Sequence, residues 1–221
     1  MTQILGLSGA RASGKDSFAA NLVEQGWVRH GFADSLYAEA AEAFGVSVGF
    51  LSQRATKEVP QDCLALAHCR DAAFVATVDQ MEQGATDLKA SRSPRFVLQV
   101  WGTEYRRSQD DLYWLRRMDE KLNSVPGTVP GVVITDVRYR NEAQTLKLRG
   151  GLLYRIRRTA IDAEMAQARA QGKPWALHSS EVEMLDYPFD GFIDNNGTLD
   201  DLRRQTQAFL SGLEMDKRRY A

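Results

Sequence analysis

The stretch "GLSGARASGKDS" at residues 6–17 decides the fold of this chain. It overlaps a short apolar run, "QILGLS" at residues 3–8, which predicts a buried strand, and it leads into a segment with helical periodicity. Gly9, Gly14 and Lys15 fit the pattern GxxxxGK in the strand, loop and helix context that this pattern requires. The stretch therefore predicts a phosphate-binding loop.

A loop of this kind binds a nucleoside triphosphate because its backbone amides point inward and the helix N-terminus adds positive potential. We expect Lys15 to reach the outer phosphates. Asp16 stands where a serine or threonine is usual, and Ser17 follows it, so either oxygen is a candidate ligand for Mg²⁺. The predicted ATP-binding residues of the loop are Gly9, Ala10, Arg11, Ala12, Ser13, Gly14, Lys15, Asp16 and Ser17.

The rest of the chain alternates between short apolar runs and segments with helical periodicity. "GVVITD" at residues 131–136 is typical of a central parallel strand that is buried on both faces. The alternation predicts one three-layer α/β domain over residues 1–221, with a parallel sheet of about five strands. A helical insertion is expected at about 34–93, most strongly helical over 61–82, and a small lid at about 158–177.

Two groups of residues outside the loop are candidates for chemistry. Asp136 and Arg138 follow the strand at the sheet edge where open α/β folds bind ligands, so Asp136 is a candidate for Mg²⁺ or water and Arg138 for an anion. A helix-capping role for Asp136 is the alternative. In "RFVLQVWGTEYRRSQDDLYW" at 95–114, arginine forks suit phosphate and an aromatic ring can stack on a base. Its candidate acceptor-binding residues are Arg95, Trp101, Arg106 and Arg107. In the alternative interpretation, the tryptophans lie in the core and the arginines on the surface, with no role in binding.

Composition narrows the class of protein. The formal net charge of −1 provides no general basic field for binding nucleic acid. No apolar stretch approaches the roughly 20 residues of a membrane span, and no signal segment is recognisable at the N-terminus. We therefore expect a cytoplasmic protein without membrane contacts, with Cys63 and Cys69 reduced. The oligomeric state is left open, a homodimer included.

Taken in order, five blocks resemble bacteriophage deoxynucleoside monophosphate kinases, and the resemblance spans nearly the whole chain. The glycine loop alone is common, whereas the ordered set is specific. An aspartate after the loop lysine is usual in that family, which accounts for Asp16. The blocks are "SGARASGKDS", "LQVWGTEYRRSQDDLYWL", "ITDVRYRNEAQTLKLRGG", "HSSEVEML" and "DGFIDNNGTLDDL".

The resemblance implies a P-loop kinase fold with ATP and Mg²⁺ as cofactors, and it implies roles for single residues. Lys15 stabilises the transferring phosphoryl group, Asp136 and Arg138 lie at the reaction centre, and Arg106 or Arg107 meets the acceptor. The loop "DNNGT" at 194–198, which contains Asn195, lies beside the adenine ring. Three arginines belong to a lid that closes over the phosphates, namely Arg155, Arg157 and Arg158.

The activity implied is transfer of the γ-phosphate of ATP to a deoxynucleotide, most simply a free deoxynucleoside monophosphate in the host cytoplasm of a phage. A similar phage branch phosphorylates 5-hydroxymethyluracil within DNA during thymidine hypermodification, and the short insertion would leave an open acceptor site that suits it. Such an acceptor would need a general base, for which Asp34 and Asp136 are candidates. The third possible function is that of a P-loop module that binds nucleotide without kinase activity.

Overall fold

A computed structural model describes residues 2–177 and 182–219, apart from the side chains of Pro174, Trp175 and residues 216–219. The chain divides into two compact units. The sheet unit comprises the residues up to Gly31 and from Glu120 onward, and the helical unit comprises Phe32–Asp119. The helical unit contains the predicted insertion and extends beyond it.

The sheet of the sheet unit has five strands that all pair in parallel, in the order β2-β3-β1-β4-β5. This confirms the predicted α/β class and sheet. Leu5 of the central strand pairs with Val133 on one side and with Leu152 on the other. The strands are β1 (Gln3–Ser8), β2 (Val28–His30), β3 (Gly131–Ile134), β4 (Leu152–Arg157) and β5 (Gly191–Asp194).

Ten α-helices are described in residues 2–177 and 182–219. They are α1 (Lys15–Val23), α2 (Ala33–Phe44), α3 (Val48–Ser52), α4 (Ala72–Met81), α5 (Pro94–Val100), α6 (Tyr113–Ser124), α7 (Arg140–Leu148), α8 (Thr159–Ala170), α9 (Pro174–Leu177) and α10 (Leu199–Arg219). A π-helix (Trp101–Arg107) follows α5 directly. No described helix is long and apolar enough to cross a bilayer.

Helices cover both faces of the sheet, as a three-layer fold requires. Phe18 of α1 and Phe209 of α10 pack in one cluster with Leu5 and Leu7 on one face. On the opposite face, α7 comes so close to the central strand that a Cβ on Gly6 would lie 2.8 Å from Leu146 Cδ1. Because β1 is buried between helices on both sides, its inner residues 4–7 are Ile, Leu, Gly and Leu, with no charged or polar side chain.

The helical unit has its own core, in which the rings of Phe74 and Trp101 pack together with their centroids 4.6 Å apart. The predicted helix over 61–82 is wrong in its first half. Residues Asp62–Leu64 and Leu66–His68 form two 3₁₀ turns, and only Ala72–Met81 is α-helical.

Two features of the sequence explain this difference. Leu64 and Leu66 are both buried. In an α-helix, residues two apart point to different sides, so the two leucines would not face the same core. The extended backbone of Ala65 between the two 3₁₀ turns allows both side chains to be buried. Asp71 then begins α4, because its side chain accepts a hydrogen bond from the Phe74 amide at 3.0 Å.

Other predictions about local structure stand as follows. The predicted lid region, about 158–177, is helical as α8 and α9. Cys63 and Cys69 are free thiols, and burial raises the pKa of the Cys69 thiol. The short helix expected near "SSEVEML" falls partly on residues 178–181, which lie outside the described residues.

Candidate active site

The predicted phosphate loop connects β1 to α1. Three of its residues have positive φ angles, which glycine adopts more easily than other residues. Gly9 has a φ of 142° and Gly14 a φ of 106°, both in the left-handed region that favours glycine. Ala12 also has a positive φ of 63°. In the described chain no side chain caps the N-terminus of α1, where the cap residue is Gly14. The first amides of α1 are therefore suited to an anion.

Lys15 and Ser13 carry the polar groups of the loop. The Lys15 ammonium donates hydrogen bonds to the carbonyl oxygens of Gly9 and Ala10, each at 2.8 Å. Ser13 is fully buried, and its Oγ has no hydrogen-bond partner among the described residues. A buried hydroxyl without a partner is costly and is typically satisfied by a ligand or an ordered water. This loop thus fits a bound phosphate group.

Asn195, which directly follows β5, contacts the phosphate loop. Its Nδ2 donates to the Ser13 carbonyl at 2.8 Å, and a Cβ on Gly14 would lie 2.2 Å from that same nitrogen. Asn195 is only 9% exposed. Asn195 thus contacts the phosphate loop directly, and the place beside the adenine ring that the resemblance implies for the loop at 194–198 stays a prediction.

The remaining loop side chains point to solvent: Arg11, Ala12, Asp16 and Ser17 are exposed. No group of three or more potential metal-ligating side chains is found in residues 2–177 and 182–219. The exposed oxygens of Asp16 and Ser17 suit a Mg²⁺ ion that takes its other ligands from nucleotide phosphates and water.

Asp136 and Arg138 lie at the carboxyl end of β3, next to the start of the loop. Gly6 pairs with Ile134, so two residues further along both strands the chain reaches Ser8 and Asp136. The turn is held there because the Val137 amide donates to the Leu7 carbonyl at 3.1 Å.

Glu142, which is only 3% exposed, accepts a hydrogen bond from the Arg138 amide at 2.8 Å. This turn therefore lies at the same edge of the sheet as the start of the phosphate loop, and the roles predicted for Asp136 and Arg138 stay predictions. The supporting carboxylate of Glu142 was not predicted, although its place three residues into α7 is a known capping signal.

The three predicted lid arginines are in different environments. Arg155 lines a cavity beside the phosphate loop, where its Nη2 lies 3.9 Å from Asp162 Oδ1. Arg157 instead forms a two-pronged ion pair with Asp194, 2.8 Å for each hydrogen bond, and these bonds raise the pKa of the guanidinium. Arg158 is exposed and directly precedes α8, where its amide donates a hydrogen bond to Asp162 Oδ2.

The cavity beside the loop also contains a residue that the sequence did not single out. Arg169, in the last turn of α8, lines it together with Arg155. Ala10 of the loop packs against the cluster of Met165 and Ala168, so α8 is docked directly on the loop. The other lining residues are Ser8, Gly9, Ala10, Asp162, Met165, Met184 and Leu185.

The predicted acceptor residues of the helical unit need one correction. Trp101 is 1% exposed and packs against Phe74, so both faces of its ring are unavailable to a base and the stacking role predicted for it is wrong. Its indole nitrogen donates to Glu39 Oε2 at 3.1 Å. Arg95 forms an exposed pair with Glu58, whereas Asp34 and Arg107 are partly exposed near the ends of α2 and the π-helix.

Arg106 lies in a polar and aromatic group that we name the Glu39 cluster, with members Glu39, Asp71, Trp101, Tyr105, Arg106 and Tyr113. Burial alone would lower the pKa of the Arg106 guanidinium, but the hydrogen bond to Glu39 raises it overall. Burial and the hydrogen bond to Asp71 raise the pKa of Tyr105 to about 12, so this hydroxyl stays protonated at neutral pH. Only Trp101 and Arg106 of this cluster were singled out in the sequence.

The parallel sheet and the glycine loop between β1 and α1 define the fold as an α/β fold of the P-loop kinase type. The crystal structure of TT1252 from Thermus thermophilus shares the fold, with a TM-score of 0.50 and 18% identity over 96% of this chain and 98% of that one. No protein-family model matches the chain.

Comparison with curated proteins confirms the resemblance to viral deoxynucleoside monophosphate kinases. The chain is 29% identical, over 66% of its length and 72% of the relative's, to the deoxynucleoside-5'-monophosphate kinase of Escherichia phage T5. It is 26% identical, over 91% of its length and 93% of the relative's, to a protein of Acanthamoeba polyphaga mimivirus named "Putative deoxynucleotide monophosphate kinase". These relatives support a phosphotransferase.

Proposed function

We propose that this protein transfers the γ-phosphoryl group of ATP to the phosphate of a free deoxynucleoside monophosphate, which yields ADP and a deoxynucleoside diphosphate. The observation that carries the proposal is the loop at residues 9–15, with its left-handed glycines, its lysine and its unpartnered buried hydroxyl. The names of the two viral relatives supply the acceptor class.

On the donor side, the loop amides and the first turn of α1 bind the phosphates of ATP. The Lys15 ammonium exchanges its carbonyl partners for phosphate oxygens and neutralises charge on the transferring group. Arg155 of β4 and Arg169 of α8 reach the phosphates from the cavity beside the loop. Arg157 and Arg158 remain proposed members of the lid.

In the transfer step, an oxygen of the acceptor phosphate attacks the γ-phosphorus of ATP. A bond forms between these two atoms, and the bond from the γ-phosphorus to the β,γ-bridging oxygen breaks, so that its electron pair leaves with ADP. An acceptor phosphate is already ionised at neutral pH and needs no general base. Asp136 and Arg138 are proposed to orient water or metal and to bind an anion beside the loop.

Mg²⁺, when bound, supplies charge neutralisation between the phosphates. Asp16, Ser17 and Asp136 are the residues proposed to hold it. The two loop residues suit this role because their oxygens are exposed at the N-terminal turn of α1.

The charge of the helical unit supports a small acceptor over DNA. Residues 32–119 contain ten Lys and Arg but thirteen Asp and Glu. A protein that acts on duplex DNA needs a basic surface to neutralise many phosphates, and this unit is acidic overall. A single monophosphate requires only one or two well-placed cations, such as Arg106 or Arg107.

The test is to incubate the purified protein with γ-labelled ATP and Mg²⁺ and to follow the label. Separate reactions contain each deoxynucleoside monophosphate, duplex DNA with 5-hydroxymethyluracil, or no acceptor. We expect label in at least one deoxynucleoside diphosphate and none in DNA. Label in DNA alone would replace the proposed acceptor, and label in neither would overturn the proposed function.

A further inference from the structure

The π-helix of the helical unit brings together two side chains that an α-helix would separate. Trp101 and Arg106 are five residues apart, which corresponds to about 140° around an α-helix. In a π-helix, residues five apart are hydrogen-bonded neighbours and lie on the same side. Accordingly, Trp101 Nε1 and Arg106 Nε both donate to the same atom, Glu39 Oε2, at 3.1 and 2.9 Å.

Glu39 is occupied on both of its oxygens. The Tyr113 hydroxyl donates to Oε1 at 2.6 Å, and Arg117 Nε lies 3.6 Å from the same oxygen. The Glu39 side chain is 13% exposed, so this carboxylate is largely removed from water. A partly buried carboxylate with several donors holds those donors firmly, because each hydrogen bond is charge-assisted.

The guanidinium of Arg106 lies close to two aromatic rings. Its guanidinium carbon lies 4.3 Å from the centroid of the Tyr105 ring and 5.1 Å from that of Tyr113. Asp71 Oδ2 lies 4.0 Å from Nη2. Within the described residues the only hydrogen bond of this side chain is from Nε to Glu39, and the side chain is 23% exposed. Its two Nη nitrogens therefore remain available to a ligand.

We propose that Glu39 is a positioning residue, which fixes Arg106 so that its Nη pair presents a rigid fork to the phosphate of the acceptor. This inference rests on the proposed function and adds to it the residue that orients the acceptor-binding cation. Two parallel N–H groups match two oxygens of one phosphate. The π-helix places Trp101 and Arg106 on the same side, so that the carboxylate of Glu39 can accept hydrogen bonds from both.

The first experiment compares Glu39→Gln with Glu42→Gln, a change on the same helix at an exposed position. Steady-state kinetics are measured with the acceptor and ATP varied in turn. The Glu39→Gln change should raise the KM for the deoxynucleoside monophosphate by about 10- to 100-fold, as roughly expected when a binding group is misplaced. It should leave the KM for ATP within about twofold of the wild type. Glu42→Gln should match the wild type in both.

The second experiment is a double-mutant cycle with Arg106→Lys, which keeps the charge but removes the fork. If Glu39 acts through Arg106, Glu39→Gln should add little to the acceptor KM of Arg106→Lys. Tyr113→Phe, which removes one donor to Glu39 and keeps the ring, should raise the acceptor KM by a smaller factor. It provides the same test should Glu39→Gln fail to fold.

Three results would overturn the inference while the proposed function stands: a wild-type acceptor KM in both Glu39→Gln and Tyr113→Phe, equal increases in the KM for acceptor and for ATP, or fully additive effects in the cycle. Absence of transfer to any deoxynucleoside monophosphate by the unaltered protein is a different failure. It would remove the proposed function, and the role of Glu39 in acceptor binding would be lost with it.

Discussion

The phosphate loop of the sheet unit and the Glu39 cluster of the helical unit both hold groups suited to anions, but they are built differently. The loop is one continuous segment of nine residues whose binding groups are mostly backbone amides at a helix N-terminus. The Glu39 cluster draws its side chains from α2, the start of α4, the π-helix and α6. A site made of backbone depends on a short sequence, whereas a site made of side chains depends on how distant segments pack.

This contrast predicts how each region responds to mutation. In the loop, changes should act on the ATP side and should be severe wherever the backbone conformation itself is disturbed. In the Glu39 cluster, changes should raise the KM for the acceptor. The increase should differ from residue to residue, because several side chains together hold Arg106 in place. The predictions below test the loop and the residues around it, from the largest expected effect to the smallest.

Removing the loop ammonium should have the largest effect. Lys15→Ala should lower kcat by about 10³-fold or more, since loss of one principal transition-state charge typically costs at least 10²- to 10³-fold. Steady-state transfer from labelled ATP measures it, with thermal unfolding to verify the fold. The control is Lys89→Ala, at an exposed lysine of the helical unit. Near-normal turnover in Lys15→Ala would contradict the assignment of the loop.

The sequence predicted the sheet and the phosphate loop because both depend on local patterns. Apolar runs in β1 and β3 reflect burial on both faces, and the left-handed φ of Gly9 and Gly14 explains their spacing. The prediction of a helix over 61–71 is wrong because Leu64 and Leu66 reach the core from two short 3₁₀ turns. Such turns produce no helical periodicity of apolar residues in the sequence.

The Glu39 cluster was missed for a related reason. Glu39 reads as one more acid on an amphipathic helix, and nothing local shows that its partners lie more than 60 residues away. The burial of Trp101 was equally hidden, because a tryptophan next to arginines is compatible with a core position and with a binding surface. Such assignments depend on packing, which a single sequence does not display.

The second prediction separates a general loss of stability from a disturbance of the phosphate loop. Gly14→Ala forces a side chain into a φ of 106° and onto Asn195 Nδ2, so we expect ATP affinity to fall by about 10- to 100-fold. Gly84→Ala is the matched control, since Gly84 has a φ of 76° with nothing within 4 Å of its added Cβ. It should lower the free energy of unfolding by about 1 to 3 kcal/mol and leave ATP affinity unchanged.

Calorimetric titration with ATP and Mg²⁺, together with denaturant unfolding, measures both quantities. If Gly14→Ala and Gly84→Ala lose stability alike and both keep wild-type ATP affinity, the loop geometry has no part in binding nucleotide.

The third prediction divides the lid arginines by their surroundings. Arg155→Gln should raise the KM for ATP by about tenfold, as expected for the loss of one charge-assisted contact. Arg157→Gln should change it by less than about twofold, because Arg157 is not among the residues that line this cavity and forms two hydrogen bonds to Asp194. The Arg157 pair is exposed, so its removal should cost less than about 1 kcal/mol of stability. A larger effect on the KM at Arg157 than at Arg155 would reverse this division.

The smallest expected effect concerns the support of the loop by Asn195. Asn195→Ala removes one hydrogen bond to the Ser13 carbonyl, which is worth about 1 kcal/mol, so ATP affinity should fall about fivefold with kcat nearly unchanged. Asn196→Ala is the control, because Asn196 accepts from the Thr159 amide instead of touching the loop. Equal ATP affinities for the two variants would show that the loop keeps its shape without Asn195, and its stability would then derive from its own backbone.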